Sequence, residues 1–447
     1  MRNRSVIASI ANELLNQIKA LTNYDLWYYY DPFRNREETK LVWEIRTQAV
    51  AAVATTWQES LDTKTFLKDR ATQDDDNNVR RAAIQQLAQN FQDDPDTKTI
   101  LKDRATQDDD NNVRGAAIEQ LAQNFRDDPD TKTILKDRAT QDDDNNVRRA
   151  AIEQLAQNFR DDPDTKTILK DRATQDDDNN VRGAAIEQLA QNFRDDPDTK
   201  TILKDRATQD DDNDVRRAAI QQLAQNFKDD PDTKTILKDR ATQDDHYDVR
   251  RAAIEQLAQN FKDDPDTKTF LKDGVTQDDG YGVRRTAIQE LAKNFPDDPD
   301  TKTILKDRAT QDDDNDVRYA AIQELAKNFP DDPDTKTILK DRATQDDRYD
   351  VRRAAIEELA KHFKYQPELF EIYYHCAVHD LFQDSYHPLY DPVLNPNLRY
   401  IALDIIIKQF PQHPQTLPLL RDKAENDPDK KVREFAQKKL KLWEGKR

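Results

Sequence analysis

Four side chains near the C-terminal end are the ones whose types and spacing could do chemistry together: His375, Cys376, His379 and His387. His375 and His379 stand four apart, the spacing at which a helix presents two imidazoles on one face to a single metal ion. Cys376, Asp380 or His387 could complete such a shell. The surrounding stretch, LFEIYYHCAVHDLFQDSYHPLYDP, matches no zinc-site spacing, and its Tyr, Phe and Leu residues suit a packed cap helix better than a metal centre. His375 and His379 are therefore kept as the one metal candidate, and no cofactor is expected. The Asp-rich runs read DDDNNVRRAAIQ and lack the sixth-position Gly and twelfth-position Glu of an EF-hand calcium loop. No G-x-x-x-x-G-K-[ST] phosphate loop occurs, and the chain has only six glycines. The expectation is a protein that is not an enzyme.

Recognition chemistry is more legible. The stretch DDDNNVRRAAIQQLAQNF begins at Asp74, and near-copies return at Asp108, Asp142, Asp176 and Asp210. Three later copies rewrite the letters before the Val to His246-Tyr247-Asp248, Gly280-Tyr281-Gly282 and Arg348-Tyr349-Asp350. Each gives up an Asp placed to cap the following helix, at an expected cost of about 0.5–2 kcal/mol for His or Arg and a few tenths for Gly. Each gains a tyrosine, which combines apolar area, a hydroxyl and few rotatable bonds, the properties favoured in recognition surfaces. Tyr319 replaces an Arg inside the intervening helix. The candidate protein-binding residues are thus His246, Tyr247, Tyr281, Tyr319, Arg348 and Tyr349. A second aromatic cluster, Tyr24, Trp27, Tyr28, Tyr29, Tyr30 and Phe33, reads as a cap over the first repeat.

The elements that must position these residues follow from a strict period. Val79, Val113, Val147, Val181, Val215, Val249, Val283, Val317 and Val351 are each 34 apart. Ile45 extends the ladder backwards, and Leu398 and Val432 extend it forwards after one interval of 47, giving twelve repeats. In each, PDTKTILKDRATQ starts a helix at an Asp-Pro pair and carries Ile100, Leu101 and Ala105 inward. The second segment sets Val79, Ala83, Leu87 and Phe91 four apart, a helix stripe capped by Asp76. Such alanine-rich pairs bury too little alone and must stack. The predicted fold is all-α, a right-handed solenoid of about twelve helix pairs: residues 1–44 an N-terminal aromatic cap, 45–363 tandem repeats, and 364–447 a C-terminal cap with an enlarged repeat.

The net charge of −19 argues against nucleic acid as a partner and favours a protein partner, and it would attract a basic peptide. The repeat from Lys98 to Thr131 carries five cations against eight anions, and it returns letter for letter from Lys166 to Thr199. Repeats this alike cannot each hold a different site, so the middle of the chain reads as a spacer. With one cysteine there can be no intrachain disulfide, and no stretch reaches the roughly 20 apolar residues of a membrane span. A cytoplasmic protein without membrane contact is expected.

The letters DNNVRRAAIQQLA resemble short bacterial HEAT-like repeats, the type that also includes phycobilin lyases. In that family the Arg joins a ladder with acidic groups of neighbouring repeats, which implies a structural role for Arg80, Arg114, Arg148, Arg182, Arg216, Arg250, Arg284, Arg318 and Arg352. The ending, HPQTLPLLRDKAENDPDKKVREFAQKKL, is similar to the C-terminal sensor region of cyanobacterial NACHT-type signalling ATPases. The resemblance implies a sensing or scaffolding role, with a separate effector or ATPase as partner; the missing phosphate loop means that nucleotide switching does not carry over. The alternative it leaves is a phycobilin lyase-like enzyme or a phycobilisome-associated factor.

Overall fold

The computed structural model describes residues 2–22, 36–58, 60–380 and 397–444. The described residues are all helix and connecting turns, with no strand, and the helices form twelve consecutive pairs. They divide into two compact units, Met1–Phe227 and Lys228–Arg447, each holding six pairs. No helix of the described residues is long and apolar enough to cross a membrane. The aromatic cluster from Tyr24 to Phe33 lies outside the described residues, as does His387.

One repeat explains the rest. Its first helix, Pro95–Gln107, opens with Pro in the first turn, and the N-cap Asp94 accepts from the Asp96 amide. A proline costs nothing there, because the amide it lacks would have no intrahelical partner. The second helix, such as Asn77–Asn90, begins where Asp76 accepts from the amides of Asn78 and Val79. It ends at Phe91, whose amide closes on the Leu87 carbonyl.

Burial follows the expected stripe with two changes. Val79, Ala83, Ile84 and Leu87 are fully buried, each large aliphatic contributing about 1.5–3 kcal/mol. On the first helix the buried column is Thr97, Leu101 and Ala105, while Ile100 is half-buried. Threonine on the core face was not anticipated. In later repeats its hydroxyl donates to the preceding Phe carbonyl, Thr267 to Phe261 and Thr301 to Phe295, both at 2.8 Å, tying the helix to the turn before it. Within each unit, second helices pack directly on the second helices of adjacent repeats.

The enlarged repeat keeps the same plan. Phe370–His379 takes the place of a first helix and packs against Leu398–Gln409. Phe370 and Tyr373 are buried; Phe370 stacks on His413 at 3.5 Å and meets Phe410 edge-on at 5.8 Å.

Candidate interaction surface

Three polar ladders join neighbouring repeats, and they determine which side chains remain free for a partner. In the first, Arg80 grips Asp108 of the next repeat with Nε at 3.1 Å and Nη2 at 2.8 Å, while Nη1 donates to the Asp74 carbonyl of its own loop. Arg114 on Asp142, Arg148 on Asp176 and Arg182 on Asp210 repeat the arrangement. Arg216 donates to the carbonyls of Asp210 and Asp211. In the second unit Arg250 holds Asp278, Arg284 holds Asp312, Arg318 holds Asp346 and Arg352 holds Asp380. Arg46 on Asp74 and Arg399 on Asp427 carry the rung toward both ends. Burial works to raise the Asp108 carboxyl, but the Arg80 hydrogen bonds outweigh it and hold the group below its ordinary range.

The first Asp of each triad is therefore the buried Arg acceptor, the second is exposed yet accepts from the same Arg, as Asp109 does from Arg80 at 2.8 Å, and the third is the cap. A second ladder was not read from the letters. Lys98 and Lys102 both reach the next N-cap, Asp128, at 2.7 and 2.9 Å, and Lys102 also reaches Asp130. A third joins the first residue of one second helix to the cap of the next: Asn77 donates to Asp110, Asn111 to Asp144, Asn145 to Asp178 and Asn179 to Asp212, at 2.5–2.8 Å. The signal that could have revealed it is the rung at which Tyr247 and Gly280 replace donor and acceptor together.

Tyr247, Tyr281 and Tyr349 occupy the position of that donor Asn, at the first residue of a second helix. His246 recovers the cap that the sequence reading counted as lost, because its Nδ1 accepts from the Asp248 amide at 3.3 Å. Gly280 and Arg348 make no side-chain cap bond. Asn315, whose counterpart acceptor would be Arg348, turns instead to Asp316. A Cβ on Gly280 would lie 3.2 Å from the Tyr247 Cβ, so the glycine lets the next turn close onto Tyr247. A polar Asn–Asp rung has become a Tyr–Gly contact.

The tyrosines separate into two groups. Tyr247 and Tyr281 stand on adjacent second helices, 47% and 51% exposed, with His246 stacked on Tyr247 at 4.9 Å. Tyr319 and Tyr349 are half-buried. The Tyr319 hydroxyl accepts from Gln323 at 3.0 Å, and both phenols adjoin Arg353, which bonds Glu357 at 3.0 Å. Burial would lower the Arg353 guanidinium, but Glu357 holds it above its ordinary value.

His375 and His379 are exposed on one helix with ring centres 4.9 Å apart. Cys376 points into the core toward the Ala343 carbonyl, burial pushing its thiol up to about 12, and Asp380 is taken by Arg352. The described residues hold no group of three or more His, Cys, Asp or Glu arranged for a metal ion.

A family profile for HEAT repeats matches in overlapping windows that run from residues 40–122 to residues 276–360. Among solved structures, a chain from that of Kap95p with RanGDP aligns at TM-score 0.59 and 14% identity, covering 94% of this chain and 60% of that one. Kap121p aligns at TM-score 0.53 and 14% identity, covering 95% and 49%. Kap121p bound to the extreme C-terminus of the phosphatase Cdc14p aligns at 0.51 and 13%, covering 94% and 49%. The chain thus spans about half to three-fifths of these proteins, and the likeness is one of fold. No curated protein matches the chain.

Proposed function

The chain belongs to the HEAT-repeat family, and on that footing we propose that it is a non-enzymatic scaffold whose recognition edge runs from His246 to Tyr349. The observation that carries this reading is the exchange of an internal rung for exposed aromatic surface. Where Tyr247 and Tyr281 stand, the Asn–Asp bond is gone, yet both rings remain about half exposed. A substitution made for packing alone would bury the ring, since its apolar area is worth more inside than out. Surface that is sequence-distinct within otherwise near-identical repeats is where specificity can reside. The Arg, Lys and Asn ladders of residues 74–212 support the spacer role for that stretch, because their charged and amide groups are engaged between repeats.

The similarity of the C-terminal ending to the sensor region of NACHT-type signalling ATPases supports a sensing role and a separate ATPase or effector as partner. Among the similar structures, Kap95p binding acts on the switch loops of RanGDP and Kap121p is bound to the extreme C-terminus of the protein phosphatase Cdc14p, which supports a protein ligand for this architecture. The test is affinity capture with the intact chain beside a variant carrying Tyr247→Ala, Tyr281→Ala and Tyr349→Ala, with helicity checked by circular dichroism. A partner held by the first and lost by the second supports the edge. Equal retention by both would move recognition elsewhere.

A further inference from the structure

We propose, on the footing of the recognition edge argued above, that Arg285 binds a Glu or Asp carboxylate of a partner segment whose neighbouring apolar side chains lie against Tyr247 and Tyr281. Several second helices carry an Arg one turn after their first residue, among them Arg217, Arg251, Arg285 and Arg353. Three of these are held by a carboxylate of their own helix. Arg217 meets Asp214 at 3.0 Å and Arg251 meets Asp248 at 2.8 Å, each three residues back. Arg353 bonds Glu357 at 3.0 Å, four residues on. Around Arg285 the first of these positions is Gly282 and the second is Gln289. Arg285 is exposed, and it makes no hydrogen bond or ion pair among the described residues. Its counterparts thus show what this guanidinium takes when an acid is within reach, and its own helix offers none.

Geometry brings both tyrosines to the same spot. Residues three and four apart are neighbours on a helix surface, so Gly282 and Tyr281 both adjoin Arg285. A Cβ on Gly282 would lie 3.9 Å from Cδ2 of Tyr247, which sets that ring beside Gly282 where the two second helices pack. The missing side chain leaves a notch between the Tyr247 ring and the Arg285 position, where Asp248 stands in the preceding repeat. A guanidinium takes a carboxylate through two parallel bonds. An exposed ion pair alone contributes little to affinity, so the half-exposed rings must supply the rest by covering apolar side chains. The acids nearest the notch in sequence are engaged: Asp248 by Arg251, Asp278 and Asp279 by Arg250, and Glu290 by Asn294. The chain as a whole draws basic ligands at long range, but the bonding position left open here belongs to a cation. The same net charge repels a polyanion, which selects a peptide with one or two acids over a phosphate backbone.

The test is a calorimetric titration of the full chain with the synthetic peptide Ser-Phe-Glu-Leu-Ser-Phe-Glu-Leu-Ser, blocked at both ends so that its glutamates are its only charges. Control peptides replace every Glu by Gln, or every Phe and Leu by Ala. Saturable binding is expected for the first peptide, with a loss of about tenfold or more in affinity for each control, for Arg285→Gln and for the Tyr247→Ala, Tyr281→Ala variant. Gln289→Glu adds no volume and gives Arg285 the internal acid that Glu357 gives Arg353, so it should weaken binding by about tenfold as well. Absence of binding, equal affinity for the Gln peptide, or unchanged affinity in both Arg285→Gln and Gln289→Glu overturns the proposal. If capture of a partner depends on the three tyrosines but ignores Arg285→Gln, the ligand class is wrong while the edge stands; if capture also ignores the tyrosines, both fall.

Discussion

Arg114 shows how much one side chain does in this architecture. Its guanidinium is 9% exposed, and the Asp142 carboxylate that it holds is fully buried. Removing Arg114 leaves Asp142 buried but still bonded by Arg138 at 3.0 Å, so the cost stays below the about 3–5 kcal/mol of a fully uncompensated buried charge. Arg114→Ala should therefore destabilise the first unit by about 1–3 kcal/mol in urea melts, and Arg114→Ala with Arg138→Ala by clearly more. The Tyr–Gly contact makes a second residue-scale prediction. Gly280→Asp alone supplies a cap but must push a Cβ away from Tyr247, so it should gain less than the roughly 0.5–2 kcal/mol of an ordinary cap. Combined with Tyr247→Asn it rebuilds the regular rung, and a double-mutant cycle should give a favourable coupling on the order of 1 kcal/mol.

At the scale of the element, helix boundaries were legible because each has a local cause: Asp-Pro opens the first helix, and a capping Asp followed by Val opens the second. The 34-residue ruler likewise gave the number of pairs. What the letters did not reveal were contacts 26 to 33 residues apart, because the three consecutive aspartates look alike until the turn gives each its own direction. The Asn ladder was hidden for the same reason, and the core-facing threonines were passed over because a hydroxyl there, as at Thr267 and Thr301, is satisfied by a carbonyl that only the fold brings near. Gly115 and Gly183 offer a test at this scale. They sit inside second helices with nothing within 4 Å of an added Cβ, so packing does not require glycine there. Gly115→Ala and Gly183→Ala should each stabilise the first unit by about 1 kcal/mol, seen as a raised urea midpoint with unchanged slope.

For the molecule as a whole, acid should be the revealing stress. The N-cap carboxylates pair with lysines of the preceding repeat in both units: burial acts to raise Asp94, but Lys68 and Lys64 hold it down at about 2. For Asp298 the bond from Lys268 is the leading cause, also giving about 2. A carboxyl depressed in the folded state contributes stability above its ordinary value of 3.8 and loses it as pH falls toward 2. Thermal midpoints should be flat from pH 7 to about 5 and fall steeply between about 4 and 2. A midpoint that rises in that window would contradict the ladder.

The central claim is that recognition is concentrated on the tyrosine-bearing edge of the second unit. Hydrogen–deuterium exchange of the intact chain, with and without its captured partner, tests it most directly. The account predicts added protection in peptides covering residues 244–252 and 278–286, with weaker protection at 313–320 and 346–353, and little change between residues 74 and 212. Protection confined to the near-identical repeats, or to the chain ends, would contradict it.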